Sequence, residues 1–152
     1  MTAPPTLIYG TCVALGRTAA ILQGPSGSGK SDLALRFALQ APAELDAALV
    51  ADDQVQVEAR GGTLFARAPS ALAGRIEVRG LGILTVPFRS EAELRLVVQL
   101  AEPDDIPRLP AELRAAPVCG IALPLILLAP FEASASLKLT LALQRIAGEK
   151  KP

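Results

Sequence analysis

The 152 residues of this chain fit one domain of ordinary size, 1–152, and 15 Lys and Arg balance 15 Asp and Glu to a net charge of +0. That evenness, with no run of like charge, excludes the broad basic surface of a nucleic-acid binder. The chain has no histidine, which removes Ser-His-Asp triads, helical zinc-protease motifs and any phosphohistidine relay within it, and leaves acid–base work to carboxylates, lysine or tyrosine.

Residues 1–6 hold two prolines and no basic residue, so they lack the charged start and apolar stretch of a signal peptide, and a cytoplasmic protein is expected. Leu7–Leu15 and Thr18–Gln23 are apolar runs parted by Gly16-Arg17, which predicts two strands joined by a tight turn. The second runs straight into glycines. From Ser31 to Gln40 the spacing of Leu33 with Phe37 and of Ala34 with Ala38 predicts a helix, with Asp32 in the first turn where it suits the dipole and Pro42 beyond its end. Ala47–Ala51 predicts a short strand that leads into Asp52 and Asp53. Gln54–Glu58 and Thr63–Arg67 alternate polar and apolar residues around Arg60-Gly61-Gly62, which predicts a β-hairpin and hence a sheet that is not purely parallel.

Beyond Pro69, Ile76–Ile83 sets Glu77 and Arg79 at alternate positions and then glycines that let backbone approach closely, the pattern of a strand and loop bordering a site. By pattern alone the two charges read as the solvent face of a strand. Leu94–Ala101 predicts another strand and Glu102–Pro110 a proline- and acid-rich loop. The most apolar run, Val118–Ala129, contains Pro124 and falls well short of the roughly 20 residues that span a bilayer, so it reads as buried core and no membrane partner is expected. Ser134–Ala147 predicts a packed final helix. Cys12 and Cys119 form neither a metal-ligand spacing nor a disulfide framework and read as two reduced core thiols.

The chemistry centres on Gly24-Pro25-Ser26-Gly27-Ser28-Gly29-Lys30-Ser31, which satisfies G-x-x-x-x-G-K-[ST] between a predicted strand and a predicted helix. Glycines allow successive backbone N–H groups to turn inward around phosphate oxygens, Lys30 reaches the outer phosphates, and the Ser31 hydroxyl can ligate Mg²⁺. Asp52 and Asp53, at the end of an apolar strand, either start the hairpin as a solvated turn or divide the labour of phosphoryl transfer. In the second reading one carboxylate serves the metal and the other deprotonates an attacking hydroxyl, and the upstream loop favours it.

Together with Leu49-Val50-Ala51-Asp52-Asp53 and Ile76-Glu77-Val78-Arg79-Gly80-Leu81-Gly82-Ile83, in the same order, the loop closely resembles the catalytic domain of HPr kinase/phosphorylase, in a short form without the family's N-terminal domain. The resemblance runs from about Leu7 to the last helix. It implies an α/β domain with a mixed sheet around the phosphate loop, similar to phosphoenolpyruvate carboxykinase, and assembly as a hexamer. It also implies an ATP- and Mg²⁺-dependent kinase for a serine of the phosphocarrier HPr. Lys30 and Ser31 keep their phosphate and metal roles, Glu77 becomes a second metal ligand, Asp53 the catalytic carboxylate with Asp52 beside it, and Arg79 and Arg108 further catalytic residues.

Two departures bear on turnover and its direction. The family's histidine before the phosphate loop corresponds to Tyr9 here, and a phenol with a pKa near ~10 does not titrate as an imidazole does. The family's arginine-bearing dephosphorylation loop corresponds to Pro124–Glu132, which has no arginine. The missing arginine favours forward transfer over reverse phosphorolysis, while Tyr9 favours a module that binds nucleotide without turnover. A nucleotide-binding regulatory module and a small-molecule kinase are the alternative expectations.

Overall fold

The computed structural model describes residues 4–110 and 114–149. In chain order its elements are β1 (Thr6–Tyr9), β2 (Thr11–Leu15), β3 (Thr18–Gln23), α1 (Lys30–Gln40), β4 (Ala47–Ala51), β5 (Gln54–Arg60), β6 (Thr63–Arg67), β7 (Arg75–Val78), β8 (Gly82–Thr85), β9 (Ala92–Leu100), β10 (Arg114–Val118), β11 (Ile121–Leu128) and α2 (Ala135–Gly148). The main sheet is mixed, as expected. Its strands run β1-β5-β6-β9-β3-β2-β4, with β11 also on β9 and β10 beyond it, while β7 and β8 pair apart from it.

The predicted strand Leu7–Leu15 is broken at Gly10. β1 pairs antiparallel with β5 and β2 antiparallel with β4, so each partner strand turns at one place: Gly10 on one side, Asp52-Asp53 on the other. A register shift opposite Cys12 and Val13 leaves Val50 as an extra residue just before that corner, and such a bulge bends the strand that carries it. The sheet thereby curls back on itself. One consequence is a core on both faces. Cys12, Ala14, Ala19 and Ile21 point into the curl against Val55, Val57, Leu64 and Ala66. Val13, Leu15, Ala20 and Leu22 point outward against Leu33 and Phe37 of α1 and Leu139 and Leu143 of α2. Strands buried on both faces read as unbroken apolar runs, which is why their sequence does not alternate.

β9 holds the sheet together by forking. Its first residues pair antiparallel with β6 and its last four parallel with β11, while β3 runs parallel along its other edge. A second register shift, between Ala19 and Ala20, skips Arg95 and exchanges the faces of the strand, so that Leu94 faces into the curl and Leu96 faces the helices. A strict alternation drawn through β9 would misplace half of it.

Several expectations need correction. Within the chain, the glycines after Ile76–Val78 meet no other segment. Gly80 and Gly82 take positive φ in the turn of a β7–β8 hairpin and have nothing packed against them. Val118–Ala129 is not a buried run but the second half of a β10–β11 hairpin, on which Ala122 and Pro124 are exposed. Cys119 sits exposed in its turn at φ +49, not in the core. Cys12 is a core thiol, and burial pushes it far above the ordinary thiol range, which keeps it protonated. No helix among the described residues is long and apolar enough to cross a membrane.

The β5–β6 hairpin is fastened to the start of β9 by charge. Arg60 donates to both carboxylate oxygens of Glu91 at 2.9 and 2.8 Å and to Glu58 at 2.9 Å, with its guanidinium 4.6 Å from the Phe65 ring centre. Arg67 adds a 3.2 Å bond to Glu58. The hydrogen bonds from Arg60 hold both carboxyls below their usual value near 4.5. A depressed folded-state pKa stabilises the fold above the unfolded value, and the benefit fades as pH falls through the folded one. The urea stability difference between wild type and Arg60→Gln is therefore expected to be fully present at neutral pH and to shrink steadily below about 4.5. A difference that stays constant down to pH 3 would show that the network contributes no pH-linked stability.

Candidate active site

β4 runs antiparallel to β2, and β2 antiparallel to β3, so β4 points the same way as β3, β9 and β11. At the carboxyl ends of these four strands lie, in turn, Asp52-Asp53, the loop Gly24–Ser31, the segment 101–110 with Arg108, and the segment 129–134. Ligand sites of open sheets form at such ends. Motif and pattern identified the first two, and the resemblance pointed to Arg108 and to Pro124–Glu132. The sheet order brings all four together.

The loop is shaped by contacts that exclude side chains. A Cβ on Gly24 would lie 2.6 Å from Oγ of Ser28. Gly29 caps α1 at φ +100, and a Cβ there would lie 2.9 Å from Cζ of Phe131. Gly29 requires glycine for its backbone angle, and a side chain at Gly24 would push the Ser28 hydroxyl aside. The Ser28 hydroxyl is buried in the loop without a hydrogen-bond partner. Lys30 folds across the loop and donates to the carbonyls of Gly24 at 2.7 Å and Pro25 at 3.0 Å.

The loop is tied to the acidic corner by one carboxylate oxygen. Oδ1 of Asp52 accepts from Oγ of Ser31 at 2.8 Å and from Oγ1 of Thr11 at 3.0 Å. Thr11 is fully buried, and sequence reasoning missed it, although a threonine after glycine in an apolar run was its signal. Asp53 turns the other way. Its φ is +69, the amide of Gln54 bonds back to the carbonyl of Asp52 at 2.8 Å, and the amide of Gly10 bonds to the carbonyl of Asp53 at 3.1 Å. This is the geometry of a γ-turn, a strained form that persists where the surroundings fix it. Its carboxylate is exposed and has no hydrogen-bond or ion-pair partner among the described residues.

The remaining expected residues lie apart from this pair of contacts. Glu77 is exposed on β7, which packs on α1 through Ile76. Arg79 follows in the hairpin turn and Arg108 lies in the loop after β9, both exposed and without partners among the described residues. Tyr9, 71% exposed, lies across from Gln54 beside the acidic corner. Among the described residues no group of three or more Asp, Glu, Cys or His could hold a metal, so Glu77 does not join Asp52 and Asp53 in such a cluster.

These groups fit a Mg²⁺-nucleotide. Hydroxyl and carboxylate oxygens are hard donors, and Mg²⁺ is commonly held by one or two carboxylates together with substrate phosphates. The glycine-walled loop with its unpaired Ser28 hydroxyl and Lys30 fits the phosphates.

Over residues 1–140 the chain matches the family described as HPr Serine kinase C-terminal domain. The HPr kinase/phosphorylase of Clostridium acetobutylicum is 34% identical over 107 residues, which are 66% of this chain and 34% of that protein. That of Burkholderia lata is 33% identical over 129 residues, 78% of this chain and 38% of that protein. The chain thus spans about a third of the length of the curated relatives it matches. Among solved structures, the Hpr(Ser) kinase/phosphatase from Coxiella burnetii is similar with a TM-score of 0.76 over 92% of this chain and 94% of that one, at 23% identity.

Proposed function

The chain belongs to the family of HPr serine kinase C-terminal domains, and on that basis we propose that it is a Mg²⁺-dependent kinase transferring the γ-phosphoryl group of ATP to a serine of HPr or an HPr-like phosphocarrier. The observation that carries this reading is the 2.8 Å hydrogen bond from Ser31 to Asp52, because it couples the phosphate loop to the acidic corner. Phosphoryl transfer asks little covalent chemistry of the protein and depends on position and charge.

In this reading the nucleotide supplies the phosphoryl group, and the metal neutralises charge on its phosphates. Lys30 exchanges the Gly24 and Pro25 carbonyls for phosphate oxygens, and the loop amides fix the chain of phosphates. Asp52 orients Ser31 toward the metal, with Glu77 as the proposed second ligand. Asp53, whose carboxylate is open to solvent, accepts the proton of the substrate serine as the serine oxygen bonds to phosphorus and the bond to the ADP oxygen breaks. Arg79 and Arg108 are proposed to offset the charge that develops on the transferring group.

Forward transfer is favoured over phosphorolysis, since Pro124–Glu132, the counterpart of the family's arginine-bearing loop, contains no arginine. Tyr9 beside the corner supports a second reading, a module that binds nucleotide without turnover.

Labelled phosphate from ATP and Mg²⁺ is expected to appear on purified HPr and to vanish with Lys30→Ala. Nucleotide binding without any labelling would instead support the regulatory module.

A further inference from the structure

Phe131 is an aromatic ring held at the mouth of the phosphate loop with most of its surface in solvent. It is 72% exposed, yet its edge meets Gly29, where a Cβ would stand 2.9 Å from Cζ and 3.0 Å from Cε1. A ring that touches the loop by its edge leaves its faces open. The hydrophobic effect gives no reason to leave a phenylalanine so placed, because a buried ring contributes far more.

The segment around it is held on both sides. Arg36 of α1 donates to the carbonyl of Pro130 and pairs with Asp32 at 2.9 Å. Glu132 pairs with Lys138 at 3.1 Å, and its carbonyl accepts from the amide of Ala135 at 3.1 Å. On the strand side, the carbonyl of Leu128 accepts from the amide of Ala101 at 3.0 Å. Phe131 is therefore an exposed ring on a fixed mount, against the glycine that caps α1.

We propose that Phe131 is the stacking platform for the base of the nucleotide whose phosphates the loop holds. The inference rests on the nucleotide reading of Gly24–Ser31 and extends it to the part of the ligand that the loop does not touch. A base is the flat π-bearing group that travels with a polyphosphate, and an aromatic face recognises it without hydrogen bonds to its edges. Arginine at this place would bind a further anion. Phenylalanine cannot, and takes the uncharged end of the ligand instead.

The chain has no tryptophan, so Phe131→Trp creates a single reporter at an exposed position. ATP is expected to quench its emission, and tripolyphosphate to bind without quenching. In parallel, Phe131→Ala is expected to weaken ATP binding by about 5- to 150-fold, the range of one lost stacking contact, and to leave tripolyphosphate binding unchanged. Equal weakening of both ligands would mean that the ring only props the loop, and would overturn the proposal. So would ATP binding that neither quenches the tryptophan nor responds to the alanine. Failure of the wild-type protein to bind either ligand would overturn the nucleotide reading itself, and this subsite with it.

Discussion

Asp53→Asn is expected to slow phosphoryl transfer to the carrier serine by about 10²- to 10⁴-fold, the usual contribution of a positioned general base, while nucleotide affinity stays unchanged. Asparagine is the informative replacement for a structural reason. Asp53 holds φ at +69, and asparagine tolerates positive φ at least as well as aspartate, whereas alanine would add strain to the loss of the carboxylate. The γ-turn, and with it the corner between β4 and β5, survives the change.

Asp52→Asn should behave differently. Its carboxylate accepts from Ser31 and Thr11 together, so its replacement weakens Mg²⁺-dependent nucleotide binding as well as turnover. Single-turnover transfer of labelled phosphate, beside calorimetric titration with Mg²⁺-ATP, separates the two roles. Wild-type turnover in Asp53→Asn would rule that residue out as the base.

Phe37→Ala should cost about 3–5 kcal/mol, a large part of the roughly 5–15 kcal/mol that holds a typical domain together. Phe37 is fully buried and heads the buried side chains by size. It lies in the cluster where α1 meets Val13, Leu22 and Leu96 of the sheet and Leu139 and Leu143 of α2. No single element can close the space it leaves. Because α1 begins at Lys30, loosening its seat also loosens the loop, so nucleotide binding should weaken in parallel. Urea unfolding should show a lower midpoint at unchanged slope. A midpoint within error of wild type would mean that the two helices collapse onto the gap.

Much of this was legible from local pattern. The phosphate loop, α1 and the β5–β6 hairpin depend on neighbours in sequence, and turn residues and helical spacing mark them. What could not be read depends on pairing over distance. Nothing around Gly10 says that β1 and β2 leave each other there, because the break answers the Asp52-Asp53 corner on a strand about forty residues away. The skipped residue Arg95 is invisible for the same reason, since a bulge is a relation between two strands. Thr11 and Phe131 gain their places at the site only when β2 and β11 take their positions. Glu77 shows the opposite limit. Its motif was legible, but the exposed strand that bears it stands apart from the main sheet.

The forked strand β9 also orders events in time. During synthesis β3 emerges with the phosphate loop long before β9 exists to pair with it, and β11 and Phe131 follow later still. Until then β3 presents an open apolar edge next to a complete sequence motif, the kind of surface that chaperones cover and aggregates exploit. Every residue of the loop can be present in a nascent chain that has no pocket to show for it. A ligand that recognises only the finished cradle would act on the last step of folding, drawing the late strands home rather than guiding the early ones.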